Sequence, residues 1–466
     1  MNDPRNDPTN DGGSSGSDAG PRELTVEQAI ELALSMQKRG RLDAAEEIYG
    51  RVLAAAPQNV DALHYLGICR HHRGEHDEGL ALVERALALH PHNLDARNNL
   101  GNMLSSRGRF GEAEAAFRQV LALDPAHVNA HANLGSVLRR KRDLPGAEAA
   151  LRRAIALAPE RAEAHHNLAN VLRDLERDDE ALESFSRALE LRPYDSEAYR
   201  GAGAVLYAKG RVEAALAVYK RWLAVEPDSE SARHMIAACS GQAPPARAAD
   251  EFVIRTFQDF ADDFDQILTR LEYRAPALVA EAVRAAVGEP AGAFDLLDAG
   301  VGTGWCGPQL RPYARRLVGV DLSPDMLRKA SERQAGGRRI YDELAEAELT
   351  AFMRARPAAF DLIVSADTLV YFGALDEVLQ AAAGSLRAGG HLFFTVEEAE
   401  GEPRGGFQLN PHGRYSHAEA YLRRTLDAAG FTTLAIERAT LRKEIKLPVG
   451  GFVVTARLAP PLPAAA

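Results

Sequence analysis

The sequence is poor in cysteine and in aromatic residues, and it has no excess of positive charge. Its three cysteines, Cys69, Cys239 and Cys306, are widely separated and show neither a disulfide framework nor the spacing of a metal site, which favours a reducing compartment. The 66 acidic residues outnumber the 55 lysines and arginines, and the net charge of −11 does not favour a nucleic-acid partner. No apolar run approaches the roughly 20 residues that a membrane span needs, so we expect no membrane partner.

The length of 466 residues is too great for one ordinary core, so we expect two or three domains. Residues 1–22 are rich in Asn, Asp, Gly, Ser and Pro, and we expect a disordered tail there because this composition cannot bury surface. The same stretch lacks the apolar core of a secretory signal peptide. We therefore expect a cytoplasmic location.

A 34-residue period fills the first half of the chain. Proline recurs at this interval from Pro57 to Pro227, and one small and one large residue recur in the same register. Small residues such as Gly101 allow two helices to approach closely, and large residues such as Phe117 fill the gap beside them. The pattern resembles the tetratricopeptide repeat, a helix–turn–helix unit that stacks into a superhelix. It predicts an α-solenoid of six repeats with a capping helix over residues 23–241.

Three successive repeats carry asparagine at the sixth position of their first helix, namely Asn99, Asn133 and Asn167. That position usually faces the concave groove of the superhelix, and each amide offers both a donor and an acceptor to the backbone of an extended peptide. The array resembles the asparagine-lined grooves of peptide-binding tetratricopeptide proteins, which implies a protein or peptide partner. The alternative is that these amides are solvated polar residues on a helix surface.

Beyond the repeats the pattern changes to a linker, then to helices, and then to short apolar strands. Residues 242–250 contain two adjacent prolines and form the expected linker. Apolar residues at helical spacing over 251–293 predict a helical cap. Over 294–460 strands alternate with helical stretches, which predicts an α/β domain with five parallel strands and a final hairpin. The third strand is expected over residues 338–344, and the hairpin turn over residues 448–451.

The stretch "LLDAGVGTGWCG", at the end of the first strand, supports two interpretations. One is the dinucleotide-binding fingerprint G-x-G-x-x-G, formed by Gly302, Gly304 and Gly307. The other is the D-x-G-x-G-x-G loop of S-adenosylmethionine methyltransferases, formed by Asp298, Gly300, Gly302 and Gly304. In both, the glycines permit a tight turn and a close approach of the backbone to the ligand.

An acidic residue beside the turn favours the methyltransferase interpretation. Asp298 supplies an acid near a ligand that carries a sulfonium and an ammonium group, whereas dinucleotide fingerprints usually have an apolar residue there. Asp321, 23 residues later at the end of the second strand, can accept hydrogen bonds from both ribose hydroxyls. Leu322 can cover one face of the adenine.

Several pieces of the chain resemble a bacterial family of predicted class I methyltransferases that carry tetratricopeptide repeats. They are "FADDFDQILTRLEYRAP", "LLDAGVGTGWCG", "LVGVDLSPDML", "DLIVSADTLVYFGAL" and "GRYSHAEAYLRRTLDAAGF". The resemblance implies a Rossmann-like, seven-stranded sheet after the α-solenoid, with S-adenosylmethionine as the cofactor. It also implies an acid that meets the adenine amine. Glu348 is the best match, and Glu343 or Glu346 takes this role if the register differs.

Candidate catalytic residues follow the fourth strand and precede a late helix. Asp367 ends an apolar strand, where a carboxylate needs a partner, and it is a candidate for both catalysis and cofactor binding. Tyr371 follows it, and His417 lies in the loop "HGRYSH". The alternatives are that Tyr371 is a core aromatic and that His417 is an exposed residue of a first helical turn. Methyl transfer is an in-line displacement, so positioning supplies much of the catalysis and a general base is needed only for a protonated nucleophile.

These observations predict an S-adenosylmethionine-dependent methyltransferase whose repeats recruit a protein or peptide acceptor. The alternative is a repeat scaffold with a catalytically silent cofactor-binding domain. The enzyme is favoured because every cofactor position holds a suitable residue. No N/D-P-P-Y/F tetrapeptide follows the fourth strand, where the sequence has "ADTL", so amide or exocyclic-amine methylation of nucleic acid is not favoured.

Overall fold

The structure of the chain, a computed structural model, describes residues 24–241, 244–258, 264–444 and 447–459. The expected tail over residues 1–22 lies outside these residues. The chain divides into two compact units, the first comprising residues up to 105 together with 111–125, the second comprising residues 106–110 and all residues from 126 onwards. Within the described ranges, no helix has the length and apolar character needed to cross a membrane.

The first unit is built from helical hairpins. Its helices are α1 Val26–Lys38, α2 Leu42–Ala55, α3 Val60–His72, α4 His76–Leu89, α5 Leu94–Ser106 and α6 Phe110–Leu123. Asparagine side chains determine where two of these helices begin. The Asn59 side chain accepts a hydrogen bond from the backbone of Ala62 at 2.8 Å, and Asn93 accepts from Ala96 at 2.9 Å. Each bond satisfies a backbone N–H that has no partner inside the helix.

Small residues at the helix crossings set how closely the two helices of a repeat pack. A Cβ atom on Gly101 would lie 2.5 Å from the Phe117 ring, and one on Gly67 would lie 2.7 Å from the Val83 side chain. Both large residues are fully buried. The 34-residue series of small and large residues is therefore the interface between the helices of each hairpin.

The second unit begins with further repeat helices. They are α7 Val128–Arg140, α8 Leu144–Leu157, α9 Ala162–Asp174, α10 Asp178–Leu191, α11 Ser196–Ala208, α12 Val212–Val225 and α13 Glu230–Ser240. The same packing recurs, because a Cβ atom on Gly203 would lie 2.2 Å from the Tyr219 ring. In α13, at the position of the predicted capping helix, His234 and Met235 are buried.

The remainder of the second unit is an α/β domain preceded by three helices. Those helices are α14 Asp250–Gln258, α15 Phe264–Arg270 and α16 Ala275–Val287. The strands are β1 Phe294–Ala299, β2 Ala314–Asp321, β3 Gln334–Ala335, β4 Arg338–Arg339, β5 Glu343–Glu346, β6 Phe360–Ser365, β7 Leu386–Glu398, β8 Phe407–Leu409, β9 Tyr415–His417, β10 Phe431–Glu444 and β11 Leu447–Leu458. The helices between them are α17 Gly307–Leu310, α18 Pro324–Glu332, α19 Leu349–Arg354, α20 Asp376–Ser385 and α21 Glu419–Ala428.

Seven strands form one continuous path in the order β10–β11–β7–β6–β1–β2–β5, and β8 and β9 attach at the end of β7. The strands β5, β2, β1, β6 and β7 are parallel neighbours, whereas β11 is antiparallel to β7 and β10 is antiparallel to β11. The predicted doubly wound sheet with a final hairpin is thus confirmed. The chain passes to one side of β1 through β2 and β5, and to the other side through β6 and β7. This reversal opens a crevice at the carboxyl ends of β1 and β6.

The third parallel strand lies later than expected. The prediction over residues 338–344 was wrong because only β5 pairs with β2, while β4 pairs with β3 in a separate short hairpin. Between β4 and β5, Ile340 and Tyr341 are both buried. Their side chains pack beneath the turn after β1, which explains the apolar residues without a strand.

The residues predicted to form the turn of the final hairpin lie within a strand instead. Residues 448–451 lie within β11, and Leu447 is already the register partner of the last residue of β10. Gly451, whose presence suggested a turn, is instead required by packing. A Cβ atom there would lie 2.4 Å from both the Leu441 side chain and the Val396 carbonyl oxygen.

The close helix crossing predicts the effect of enlarging Gly101. Replacement of Gly101 by Val forces two further methyl-sized groups against the Phe117 ring, and overpacking of this kind costs about 1–3 kcal/mol. We expect the urea unfolding transition, followed by helical circular dichroism, to move to lower denaturant. The matched control is Gly50→Val, because an added Cβ at this exposed position in α2 meets nothing within 4 Å. Equal transitions for the two variants would contradict the packing argument.

Candidate active site

A cavity of about 210 Å³ lies at the carboxyl ends of the parallel strands. Its walls come from the turn after β1, the residues that follow β2 and β6, the helices α14 to α16, and the end of β10. The predicted site residues that line it are Gly300, Gly302, Asp321, Leu322, Glu348, Asp367 and Tyr371. Three predicted site residues, Asp298, Gly304 and His417, are not part of its lining.

The turn after β1 depends on glycine for two different reasons. Gly300, Gly302 and Gly304 have φ values of 82°, 53° and 85°, which side chains rarely tolerate. A Cβ atom on Gly300 would lie 2.0 Å from Thr368 Oγ1, whereas one on Gly302 would have no neighbour within 4 Å. Gly302 therefore borders open space that a ligand can approach. Gly307, the third glycine of the apparent dinucleotide fingerprint, serves packing, since its Cβ would lie 2.7 Å from Ile340.

Asp321 connects the turn to the following helix. Its Oδ2 accepts a hydrogen bond from the Gly302 backbone at 2.8 Å, and its Oδ1 accepts from the Ser323 backbone at 3.0 Å. Burial raises the pKa of this carboxyl. A carboxylate has about four lone-pair sites, so two N–H donors leave capacity for two hydroxyl donors of a ligand.

Glu348 presents an unused carboxylate oxygen to the cavity. Its Oε2 accepts from the backbone of Ala351 at 2.8 Å and caps α19, whereas the buried Oε1 has no hydrogen-bond partner in the described part of the chain. The two register alternatives are placed differently. Glu343 pairs with arginines at 2.5 and 3.3 Å, and neither Glu343 nor Glu346 lines the cavity. The structure thus brings Glu348 to the site and leaves the other two outside it.

Asp298 lies beneath the turn rather than in the cavity wall. It is 1% exposed, and its Oδ2 accepts a hydrogen bond from the Tyr341 hydroxyl at 2.7 Å. Burial raises its pKa to about 7, although the bond from Tyr341 opposes the shift. Asp298 therefore does not line the cavity, because its side chain points to the inner side of the strand end, and its role toward a ligand stays a prediction. Gly304 is likewise packed under Arg333 and Tyr341.

Asp367 is held in an unusual conformation at the end of β6. Its φ is 58°, its backbone N–H donates to Thr395 Oγ1 at 2.8 Å, and its Oδ2 accepts from Arg442 at 2.7 Å. Burial raises the pKa of the carboxyl, and the charge of Arg442 opposes this. The buried Oδ1 has no hydrogen-bond partner among the residues that the structure describes.

Behind Asp367 lies a cluster of charges that includes Arg442 and Glu444, two residues that the sequence did not single out. Arg442 is 4% exposed and donates to Asp367, to Glu397 and, at 2.7 Å, to Glu444. Arg414 donates to Glu397 at 2.8 Å and to Glu444 at 2.6 Å. Arg442 and Glu444 have no motif around them and belong to the last hairpin, 75 residues after Asp367. Only the sheet order, which brings this hairpin back beside β7, shows that they belong to the site.

His417 lies outside the cavity lining, whereas Tyr371 belongs to it. His417 is fully buried in β9, where its Nε2 donates to the Gly373 carbonyl at 3.0 Å and its ring stacks on Tyr421. Burial lowers its pKa to about 4. It is therefore a structural residue of the sheet, away from the cavity lining and not in an exposed helical turn. Tyr371 does line the cavity, and burial raises its pKa to about 12.

Helix α15 is tied to the glycine turn by one aspartate that sequence reasoning missed. Asp265 Oδ1 accepts from the Thr303 hydroxyl at 2.5 Å and from the Trp305 indole N–H at 2.7 Å. Its other oxygen accepts from Arg333. The segment "FADDFDQ" offers several acids without a distinguishing pattern, so the sequence could not single out this one. The clamp holds the cap helix over the edge of the cavity.

The last repeat helix and the linker also reach the site. The hydrogen bonds that join them to the α/β domain include Ala248 N to Tyr371 O at 2.8 Å, Gly373 N and Ala374 N to Ala246 O, both at 2.8 Å, Tyr415 Oη to Pro245 O at 2.9 Å, and His234 Nε2 to Gly413 O at 2.8 Å. Arg247 and Ala248 themselves line the cavity. The linker thus forms part of the wall, next to the loop that carries Asp367.

Comparisons with known families agree with this architecture. A methyltransferase domain model matches residues 297–394, which include the glycine turn and Asp367. Tetratricopeptide repeat models match residues 59–126 and, in three overlapping segments, residues 98–162, 133–196 and 166–232.

Curated relatives of the second half are methyltransferases. A ubiquinone biosynthesis O-methyltransferase from Ralstonia nicotianae is 28% identical over 156 residues, which are 32% of this chain and 64% of the relative. Methyltransferase-like protein 27 from Homo sapiens is 39% identical over 90 residues, 19% of this chain and 35% of the relative. A malonyl-[acyl-carrier protein] O-methyltransferase from Enterobacter lignolyticus is 32% identical over 135 residues, 29% of this chain and 51% of the relative.

The chain thus spans between about a third and two thirds of the length of these relatives. The relatives and the methyltransferase model concern the α/β domain, and the repeat models concern the helical hairpins before it. The chain thus contains tetratricopeptide repeats followed by a domain similar to methyltransferase domains.

Proposed function

We propose that the cavity binds S-adenosylmethionine and that the chain transfers its methyl group to an acceptor recruited by the repeats. One observation carries the proposal. The glycine turn, Asp321 and Glu348 meet at a single cavity, and Glu348 Oε1 is buried there with no partner in the described ranges. A buried carboxylate oxygen without a donor is costly unless a ligand supplies one.

The lining residues fit the parts of this cofactor. The open space beside Gly302 admits a ligand close to the backbone, and Asp321 has lone pairs left for the ribose hydroxyls. We assign Leu322 to cover the adenine and Glu348 Oε1 to accept from its amine. The bound cofactor supplies an electrophilic methyl group on a sulfonium.

The chain itself contributes position and exclusion of water. Asp265 holds α15 against the glycine turn, and the aromatic residues of α14 and α15 cover the cavity. Such a covered site fixes the acceptor near the methyl carbon and removes competing water. Asp367, Tyr371 and Arg442 belong to the part of the wall that remains for the acceptor.

Tetratricopeptide repeats generally mediate protein interactions, and we assign them the acceptor or a partner that presents it. The proposed groove contacts are Asn99, Asn133 and Asn167, which are half-buried. The Asn99 amide donates to His64 Nε2 at 2.9 Å, so this side chain is partly engaged within its own unit. Asn133 and Asn167, which lie in the second unit, are the pair that the experiment below changes.

Cofactor binding provides the first test. We expect isothermal calorimetry to show binding of S-adenosylmethionine to the wild type, no detectable binding to Gly302→Arg, and at least 30-fold weaker binding to Asp321→Asn. The arginine fills the open space beside the turn, and the amide loses acceptor capacity for the ribose. Asp325→Asn, on the exposed face of α18, is the charge-matched control and should bind like the wild type. Failure of the wild type to bind would refute the proposal.

Recognition of the adenine amine can be tested by a cycle of protein and ligand changes. Glu348→Gln should weaken S-adenosylmethionine binding about tenfold, because loss of a hydrogen bond to a charged group costs about 1.5–3 kcal/mol. The deaminated, hypoxanthine-containing analogue presents a carbonyl acceptor instead of this donor, so Glu348→Gln, whose amide can donate, should bind it at least as tightly as the wild type. Glu346→Gln serves as the control on β5. If Glu348→Gln weakens both ligands equally, Glu348 does not read the amine.

If the repeats recruit the acceptor, changes in the proposed groove should reduce methyl transfer without changing cofactor binding. We expect the double variant Asn133→Ala and Asn167→Ala to reduce methyl-label transfer into intact proteome proteins at least fivefold while leaving calorimetric cofactor affinity unchanged. Glu183→Ala, on the second helix of its hairpin, is the control. Equal transfer by wild type and double variant would exclude these amides from recruitment. If S-adenosylmethionine binds but no methyl label is transferred to proteome proteins, the alternative of a repeat scaffold with a catalytically silent cofactor-binding domain would be favoured.

A further inference from the structure

The cavity has two chemically different halves. The half formed by the turn after β1 and the ends of β2 and β5 carries Asp321, Leu322 and Glu348, which the proposed function assigns to the cofactor. The other half is formed by the residues after β6, the end of β10 and the cap helices. Asp367 and Arg442 line this second half. Because the proposed cofactor occupies the first half, the acceptor has to bind in the second half.

In the second half, the carboxylates outnumber the guanidinium groups. Three carboxylates, Asp367, Glu397 and Glu444, face two guanidinium groups, Arg414 and Arg442. Arg442 is fully engaged, since each of its three nitrogens donates to a different carboxylate. The cluster therefore holds one more negative than positive charge.

The nearby histidine does not supply the missing positive charge. His412 Nε2 lies 3.6 Å from Glu397, but burial lowers the pKa of this imidazole to about 4, so it is neutral at pH 7. Arg247, which lines the cavity from the linker, is paired with Asp250 at 2.6 Å. The buried Oδ1 of Asp367 thus remains an acceptor without a donor in the described structure. A ligand that brings N–H groups and positive charge would satisfy it.

The rest of this half is apolar and aromatic. The Phe257 ring lies 5.6 Å from Phe264 and 5.7 Å from Tyr371, both in edge-to-face arrangements, and all three rings line the cavity. Leu268 and Leu271 extend the same wall. These side chains suit an extended apolar arm, and aromatic faces also attract a cation at its end. A phosphate or carboxylate on the acceptor would meet the excess negative charge instead.

We propose that the acceptor is an amine carried on an apolar arm, with the arm between Phe257, Phe264 and Tyr371 and the nitrogen at Asp367 Oδ1. The inference rests on the proposed function and names its substrate class. Two sources share this chemistry, the side chain of lysine in a protein and a free alkyl or aralkyl amine. The recruitment of proteins by the repeats makes lysine the source that the experiment examines first.

The chemistry balances without another reactant. The ammonium that the cavity attracts loses its proton to bulk water as it binds, which leaves the neutral amine facing the methyl group. The amine lone pair then forms the N–C bond while the S–C bond breaks, and the bond pair stays on the sulfur, which becomes neutral. Positive charge moves from sulfur to nitrogen, next to Asp367. Asp367 accepts one N–H bond, so it orients the lone pair and stabilises the charge that develops on nitrogen.

Methyl transfer into a proteome with blocked amines tests the acceptor class. The full chain is incubated with S-adenosylmethionine labelled in its methyl group and with an extract separated into protein and small-molecule fractions. Half of each fraction is first acetylated at its amines and then treated with hydroxylamine, which restores hydroxyl groups. We expect acetylation to reduce the label at least tenfold, and acid hydrolysis of the protein fraction to yield methyllysine. Label confined to the small-molecule fraction, and equally lost on acetylation, would assign the free amine as the source.

Label that survives acetylation would overturn the inference while leaving methyl transfer established. Such label would mark a hydroxyl, carboxyl or guanidinium acceptor, and base treatment distinguishes the carboxyl esters. No label in any fraction, with cofactor binding intact, would also overturn it. Loss of cofactor binding by the wild type would refute the proposed function instead, so the two failures are distinguishable.

A variant at Asp367 tests the assigned atom. Asp367→Asn keeps the size and tolerates the positive φ, and we expect amine label to fall at least 30-fold while the calorimetric Kd for S-adenosylmethionine changes less than threefold. Parallel weakening of cofactor binding would assign Asp367 to the cofactor and overturn the inference. Asp325→Asn is the control. If Asp367→Asn does not fold by circular dichroism, Phe264→Ala is the second variant, with an expected rise in acceptor KM at unchanged cofactor Kd. An unchanged KM would contradict the assigned wall.

Discussion

The carboxylate of Asp321 is the interaction on which the cavity depends. It accepts backbone N–H groups from Gly302 and Ser323, so the end of β2 is bonded both to the turn after β1 and to the start of the next helix. Two neighbouring parallel strands are thereby joined at their carboxyl ends, beside the crevice between β1 and β6 where the strand order reverses. This acceptor satisfies the Gly302 N–H of the left-handed glycine turn, and the turn and Asp321 together form one edge of the cavity.

The sequence predicted the parts of this arrangement that follow from local chemistry. The repeat period, the five parallel strands with a final hairpin, and the positions of the glycine turn and Asp321 at the ends of the first two strands follow from the spacing of residues. Asp298 shows where local reasoning stops. Strand residues alternate between two sides, and an acid in the right motif position still pointed to the inner side, where Tyr341 became its partner. The third strand was predicted too early because apolar residues such as Ile340 and Tyr341 can be buried without belonging to a strand.

The second half of the cavity could not be predicted as a whole. Its residues are distant from one another in the sequence, and no motif marks Arg442 and Glu444. Asp367 was recognised from its strand, but its partner Arg442 comes from a hairpin whose position beside β7 is known only from the sheet order. Asp265 and its donors depend on how a cap helix lies over the turn. Charged clusters of this kind are tertiary features. Their physical meaning, the count of carboxylates against guanidinium groups, appears only once all members are placed together.

Hydrogen bonds join the linker and α13 to the two loops that carry Asp367 and Arg414. The linker accepts from and donates to the backbone between Tyr371 and Ala374, a few residues beyond Asp367. The capping helix is bonded to the loop that ends at Arg414, which neutralises two of the three carboxylates. The end of the solenoid is thus bonded to both loops that carry these charges, whereas the edge held by Asp321 has no such bond to the linker in the described structure.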